Sequence, residues 1–236
     1  MLQQLREMSK SVSKFGYFKR SDTQLVGLRY GNWGSRPYEY CWAAQVEDVE
    51  DKDILDIGTG TPSEHNWHEF VDEVLKPRSY LGVDFDERLK MDNINRTDHK
   101  VLYMDASSLE LENDSIDVIY SISTFEHVDS VKTFNKIIEE CHRVLRHGGK
   151  MVVTLDEYWD CKVSDCLPWN ELERAYARER QVHPERSYGM VDFANDIQHL
   201  FKPVGEIPEK VNADGSLLYS AEYNDCVSYG VFQVVK

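Results

Sequence analysis

Five short apolar runs set the rhythm of the chain: residues 54–57, 80–83, 101–104, 116–120 and 151–155. They are continuous rather than alternating, the pattern of parallel strands covered on both faces. Between them the period changes. From Trp67 the apolar residues Phe70, Val71, Val74 and Leu75 recur at helical spacing, and Pro77 closes that element. A second helical stripe (Val131, Phe134, Ile137, Ile138, Cys141, Val144, Leu145) leads to Gly148-Gly149, which reads as its C-terminal stop. A charged helical stretch is expected over 170–181 and a further helix over 192–201. Two closing strands, 216–223 and 227–235, are close enough to pair antiparallel. Strand–helix alternation of this kind predicts an α/β fold with a doubly wound, mostly parallel sheet, Rossmann-like, ending in a C-terminal antiparallel strand pair. The most economical division is an N-terminal cap over 1–50 and one α/β domain over 51–236, carrying an insert at about 157–190.

The first apolar run leads into Asp56-Ile57-Gly58-Thr59-Gly60. A strand, a glycine turn and a helix start form the place where open α/β sheets bind ligands. Gly58 and Gly60 are expected to let the backbone approach a ligand that a Cβ would block. Thr61 is placed to cap the next helix, Pro62 suits its first position, and Glu64 completes a capping box. The second strand ends at Asp84 and the third at Asp105-Ala106. Parallel order brings both carboxylates to the same sheet edge as the loop, where the first of them suits two ribose hydroxyls. Each acid also has the simpler role of capping its own turn. A nicotinamide fingerprint fails, because Ser63 stands where its last glycine should be, and no Gly-Lys-Ser/Thr follows for a P-loop.

Composition narrows the partners. With 42 acidic against 27 basic residues the formal net charge is -15, which disfavours a nucleic-acid partner. The one basic stretch, with Arg6, Lys10, Lys14, Lys19 and Arg20, reads as a solvated N-terminal arm. No run reaches the roughly 18 apolar residues of a membrane span, and no secretory signal is seen, so a cytoplasmic protein is expected. Five scattered cysteines suit reduced thiols. His65 and His68, without carboxylate partners, read as solvated surface, and no metal is expected.

In their order along the chain these motifs resemble the class I S-adenosylmethionine-dependent methyltransferases, over roughly residues 50–155. Residues 54–61 look like the family's first motif, Asp84 matches its ribose-binding acid, and Asp105-Ala106 its adenine-side motif. Residues 114–119 and then 124–128 are similar to its fourth strand and the turn beyond, and residues 143–149 to the segment before its fifth strand. The resemblance implies S-adenosylmethionine as cofactor, with S-adenosylhomocysteine as product. It assigns Asp56, Gly58, Thr59, Gly60, Asp84, Asp105, Ala106 and Ser121 to cofactor binding. One departure stands out: Pro62 replaces the family's third glycine and removes an N–H that could have faced the cofactor's carboxylate, which implies either a lower cofactor affinity or a carboxylate held by residues of the cap.

The acceptor side is less specified. Glu126, His127, Asp156, Glu157 and Tyr158 lie beyond the fourth and fifth strands. His127 is the candidate general base, since its ordinary pKa suits proton removal near neutrality, with a packing role at that turn as the plainer alternative. No Asp/Asn-Pro-Pro-Tyr follows the fourth strand and no Pro-Cys nucleophile occurs, which argues against DNA bases as acceptors. The aromatic-rich stretch from Tyr30 to Trp42 either covers the cofactor or packs the cap onto the sheet. The expected protein is a methyltransferase acting on a small-molecule acceptor such as a sugar or secondary metabolite. A non-catalytic S-adenosylmethionine-binding scaffold is the alternative, and a nicotinamide-dependent oxidoreductase is opposed by Ser63. Oligomeric state is not legible.

Overall fold

The structure is a computed structural model that describes residues 36–62, 67–92, 101–158, 190–205, 218–220 and 225–236. In chain order the described elements are α1 (Arg36–Val46), β1 (Asp53–Ile57), α2 (Trp67–Phe70), β2 (Ser79–Asp84), α3 (Arg88–Asp92), β3 (Val101–Tyr103), β4 (Ile116–Ile122), α4 (Val131–Val144), β5 (Leu145–Tyr158), α5 (Met190–Ile197), β6 (Phe201–Pro203), β7 (Leu218–Ser220) and β8 (Asp225–Val234). The eight strands form one sheet in the order β3-β2-β1-β4-β5-β8-β6, with β7 beside β8. Strands β1 to β5 are mutually parallel. β8 runs antiparallel to β5, β6 and β7. The doubly wound order and the antiparallel closing pair agree with the sequence pattern. The chain leaves β1 in one direction for β2 and β3 and returns on its other side as β4, so the switch point lies at the carboxyl end of β1.

Period-two alternation along the strands separates two cores. Leu55 and Ile57 of β1, with Ile119, Met151, Val153 and Leu155, face α4 and α5, where Phe125, Phe134, Phe193 and Phe232 form a chain of ring contacts. Ile54, Tyr80, Val118, Tyr120, Ile122 and Val152 face α1 and α2 and bury Tyr40, Ala43, Trp67 and Phe70. Asp56 follows Ile54 by two, so it belongs to this second face.

Helix α4 buries the stripe its sequence predicts and is capped by Ser130, whose side chain accepts from Thr133 N–H. It ends at Val144, before the glycines. Gly148 and Gly149 instead sit in an irregular section of β5, where the register with β4 jumps from Ile116–Leu145 to Val118–Lys150. Gly148 has φ +78°, and a Cβ on Gly149 would meet Arg146 O at 2.9 Å, so the glycines serve this bulge rather than a helix stop. The stripe from Trp67 also departs from expectation. After α2 the chain widens into a π-turn over Val71–Leu75, closed by Lys76 N–H to Val71 O at 3.0 Å. Pro77 disfavours the α conformation at Lys76, which takes φ 55°. The predicted helix over 192–201 begins at Met190 and stops at Ile197, because Phe201 opens β6. The expected helix over 170–181, the basic arm, and position 64 of the capping box lie outside the described residues.

Candidate cofactor site

The loop leaving β1 continues the ladder with β2: Gly58 N–H and Thr59 N–H both donate to Val83 O, at 2.8 and 3.3 Å. Gly58 and Gly60 have φ +74° and +72°, the left-handed region that favours glycine. Gly60 N–H donates to Asp84 Oδ2 at 2.9 Å, and Asp86 N–H holds the other oxygen at 2.9 Å. The acid that ends the second strand is thereby tied to the loop that ends the first. Below the loop, Tyr80 OH donates to Asp56 Oδ2 at 2.6 Å and stands 3.2 Å from Thr59 Oγ1. Burial pushes the Asp56 carboxyl up to about 7, against the hydrogen bonds from Tyr80 and Thr59, which favour its charged form. Asp84 nearby raises it further and Arg36 opposes this.

A pocket opens over this loop. Asp56, Gly58, Thr59 and Gly60 line one part of it, Ile122 and Ser123 from the end of β4 another, and Arg36, Tyr40 and Trp67 the rest. Tyr40 and Trp67 stack with ring centroids 4.7 Å apart. Arg36 is fixed by its Nη1, which donates to Ile122 O at 3.1 Å and to Glu39 Oε2 at 3.3 Å. Glu39 is fully buried, and the same oxygen accepts from Ser123 Oγ at 2.6 Å and from Thr154 Oγ1. One carboxylate therefore pins α1 to the carboxyl ends of β4 and β5. Ser123 has φ 46°, a strained value for a side-chain-bearing residue, held by Thr154 through both its O and its Oγ1.

Of the residues expected in the site, the structure brings Asp56, Gly58, Thr59 and Gly60 together at the pocket and attaches Asp84 to them. Asp105 is exposed and accepts from Ser107 N–H at 2.8 Å, capping its own turn, with half-buried Ala106 beside it. Ser121 is buried, its hydroxyl has no hydrogen-bond partner, and alternation along β4 turns it to the face opposite Ile122. His127 is exposed in the turn Phe125–His127, outside the pocket lining, while its neighbour Glu126 is buried. His68 corrects an expectation: it is buried beside Trp67, not solvated, because α2 turns that side onto the sheet, and His65 lies outside the described residues. Sequence reasoning missed Arg36, Trp67 and Ser123 as pocket residues. Trp67 sat in a stripe read as core, and only the aromatic-rich stretch before β1 pointed at Arg36 and Tyr40. Gly58 also changes meaning. A Cβ there would collide with the Thr124 side chain, so its bareness makes room for a neighbour on the next loop.

The pocket has a chemical gap that a ligand would fill. Trp67 is 2 % exposed and its indole N–H, a donor only, has no hydrogen-bond partner. A polar ligand with an acceptor group fits such a site. Among the described residues no cluster of His, Cys, Asp and Glu could hold a metal ion, and no helix is long and apolar enough to cross a membrane.

Residues 55–153 match the methyltransferase domain family. The span runs from β1 to within β5 and contains the glycine loop, Asp84, Asp105 and His127. Solved structures share the fold. An S-adenosylmethionine-dependent methyltransferase from Mesorhizobium loti is 16 % identical, with a TM-score of 0.54 over 83 % of this chain and 97 % of the other. The PH0226 protein of Pyrococcus horikoshii is 16 % identical, with a TM-score of 0.55 over 87 % of this chain and 95 % of the other. The chain has no match among curated protein sequences. The domain match over residues 55–153 and the shared fold imply S-adenosylmethionine as cofactor, with S-adenosylhomocysteine as its product.

Proposed function

We propose that this chain moves a methyl group from S-adenosylmethionine to a small-molecule acceptor, such as a sugar or another secondary metabolite. The observation that carries the reading is the 2.9 Å contact between Gly60 N–H and Asp84 Oδ2. It sets a carboxylate suited to ribose hydroxyls against a positive-φ glycine at the sheet's switch point. One residue further, the Phe85 ring is 74 % exposed, an apolar face that a nucleobase would cover. Asp105 and Ala106 are proposed for the adenine side, and Asp56, Gly58 and Thr59 for the part of the cofactor above β1. Ser121 joins that set through its backbone, since its hydroxyl faces away.

When bound, S-adenosylmethionine supplies a methyl carbon activated by sulfonium sulfur, which an acceptor lone pair attacks in line. The chain's share is alignment and the exclusion of water. Glu39, Ser123 and Thr154 fix the ends of β4 and β5, where an acceptor would be held. His127 is the proposed proton acceptor for an O–H or N–H nucleophile. A net charge of -15 supports a small acceptor over a polyanion. The buried Cys141 thiol, its pKa raised by burial, is among the features that support the reducing cytoplasm as the proposed setting.

Calorimetry with S-adenosylhomocysteine, followed by turnover on a panel of hydroxyl and amine acceptors, tests the proposal. Binding with turnover is the expected result, and no binding at millimolar ligand would sink it. The place of His127 outside the pocket lining favours a second reading, a binding protein without catalysis, which predicts binding and no turnover on any acceptor.

A further inference from the structure

We infer that Glu39 is a positioning residue: acting through Ser123, it holds the strained backbone after β4 in the conformation on which the glycine loop's affinity for the cofactor depends. The inference rests on the cofactor reading above and adds a control on it from outside the pocket lining, since Glu39 is fully buried behind Arg36, Tyr40 and Ser123, which do line it. Ser123 has φ 46°, a left-handed value that costs free energy in any residue bearing a Cβ. A closed ring of hydrogen bonds maintains it. Ser123 N–H donates to Thr154 Oγ1 at 3.0 Å, the Thr154 hydroxyl donates to Glu39 Oε2, and Ser123 Oγ donates to that same oxygen at 2.6 Å. A carboxylate only accepts, so Glu39 fixes the direction of both hydroxyl hydrogens and leaves the Thr154 lone pairs to Ser123 N–H.

The distribution of donors shows that the carboxylate is placed for this hold. Arg36 Nη1 also donates to Oε2, at 3.3 Å, while Oε1, equally buried, has no hydrogen-bond partner among the described residues. A carboxylate buried only to be satisfied would share its donors between both oxygens. Here they converge on the one beside Ser123. The next residue carries the conformation onward to the glycine loop. Thr124 Oγ1 donates to Ile57 O at 3.1 Å, and its side chain occupies the space that a Cβ on Gly58 would need. Gly58 N–H is bonded to Val83 O, and Gly60 N–H to the carboxylate of Asp84, the next residue. Relaxation of Ser123 to a negative φ would redirect the chain into Thr124 and take away the side chain that packs on Gly58. The segment from Ile122 to Thr124 therefore links the cap to the loop, and Glu39 sets its shape without touching the cofactor.

The test measures S-adenosylhomocysteine binding by calorimetry on the full chain, with urea unfolding to show that each variant is folded. Glu39→Met removes the acceptor and is expected to weaken binding about tenfold, the release of one strained backbone conformation. Glu39→Gln keeps one acceptor oxygen and should recover most of that loss, to within about threefold of wild type. The deciding comparison uses glycine, which adopts φ 46° without being held. In the Ser123→Gly background, Glu39→Met should cost less than about threefold relative to Ser123→Gly alone. A second pair leaves Glu39 in place and serves if Glu39→Met does not fold. Ser123→Ala and Ser123→Gly both lose the hydroxyl, and the glycine variant should bind at least about threefold more tightly. A residue that merely stabilises the fold predicts the reverse, because glycine adds chain entropy and repairs nothing. Equal costs of Glu39→Met in both backgrounds, or Ser123→Ala binding as well as Ser123→Gly, would overturn the positioning role while the cofactor reading stands. Failure of wild-type protein to bind S-adenosylhomocysteine would overturn the cofactor reading, and the positioning role with it.

Discussion

Tyr80 donates its hydroxyl hydrogen to Asp56 Oδ2 over 2.6 Å, from one strand to the next beneath the glycine loop. This bond and the one from Thr59 together do not offset burial, and the Asp56 carboxyl is pushed up to about 7. The fold therefore favours the protonated acid, whereas the unfolded chain titrates this group near about 4. Stability from this site is complete below about pH 4 and is lost as pH rises through about 7. Asp56→Asn carries no such titration. Between pH 5 and pH 8 its stability should improve relative to wild type by about 2 kcal/mol, read from urea unfolding at both values. A difference that stays flat with pH would refute the assignment.

Asp84 spends one carboxylate oxygen on Gly60 N–H and the other on Asp86 N–H, so it is oriented before any ligand arrives. Replacing it with Ala should weaken S-adenosylhomocysteine binding by about 2 kcal/mol, the loss of a charged bidentate hydrogen bond. Asp84→Asn keeps one acceptor oxygen and should fall between. Calorimetry gives both numbers, and an unchanged dissociation constant for the Ala variant would remove Asp84 from the site.

What the sequence made legible follows from which signals are local. Continuous apolar runs reported strands β1 to β5, and the stripe through Phe134, Ile138 and Cys141 reported α4, because periodicity is set by which face is buried. Asp56, Gly58, Thr59 and Gly60 were legible as a pocket wall because one turn carries them all. Arg36 and Trp67 were not. They reach the pocket from two helices on one sheet face, and only packing brings those helices to the end of β1. Glu39 illustrates the same limit: nothing near it in sequence announces Ser123 or Thr154, 84 and 115 residues away. Gly148-Gly149 misled for the opposite reason, since a helix stop and a β-bulge both use glycine at positive φ.

The opposite end of the sheet holds a network with no ligand chemistry. Asp53, at the start of β1, accepts from Arg78 Nε at 2.9 Å, Ser79 Oγ at 2.7 Å and Arg146 Nη2 at 2.8 Å. Arg78, foremost, holds its carboxyl well below the usual range. Its contribution is present above about pH 4 and disappears as pH falls below that. Solvent screens these partners, so Asp53→Asn should lose only about 1 kcal/mol at pH 7, a gap that begins to narrow below about pH 4 and closes only as pH falls through the lowered folded-state pKa of the group. Cofactor affinity should not move, because Asp53 sits at the amino end of the strand whose carboxyl end forms the pocket. A change in S-adenosylhomocysteine affinity comparable to that of Asp84→Ala would contradict this separation.

Gly58 offers the sharpest contrast between two explanations of one residue. If its missing Cβ serves ligand approach, Gly58→Ala should block the cofactor whatever stands at position 124. The structure gives a different reason. An added Cβ would strike the Thr124 side chain, whose hydroxyl donates to Ile57 O at 3.1 Å and to Ile122 O at 3.2 Å. Gly58→Ala alone should destabilise by about 2–5 kcal/mol, combining overpacking with the cost of φ +74° for a residue bearing a Cβ. Thr124→Ala alone should lose about 1 kcal/mol for its hydrogen bonds. In the double variant two of the three closest clashing atoms are gone, and only the backbone cost and a contact with the Thr124 Cβ position, 2.8 Å away, remain. It should be more stable than the sum of the single losses by at least about 1 kcal/mol, a coupling read from a double-mutant cycle of urea unfolding. It should also regain cofactor binding by calorimetry. Additive losses, with binding still absent, would return Gly58 to the role of a ligand clearance.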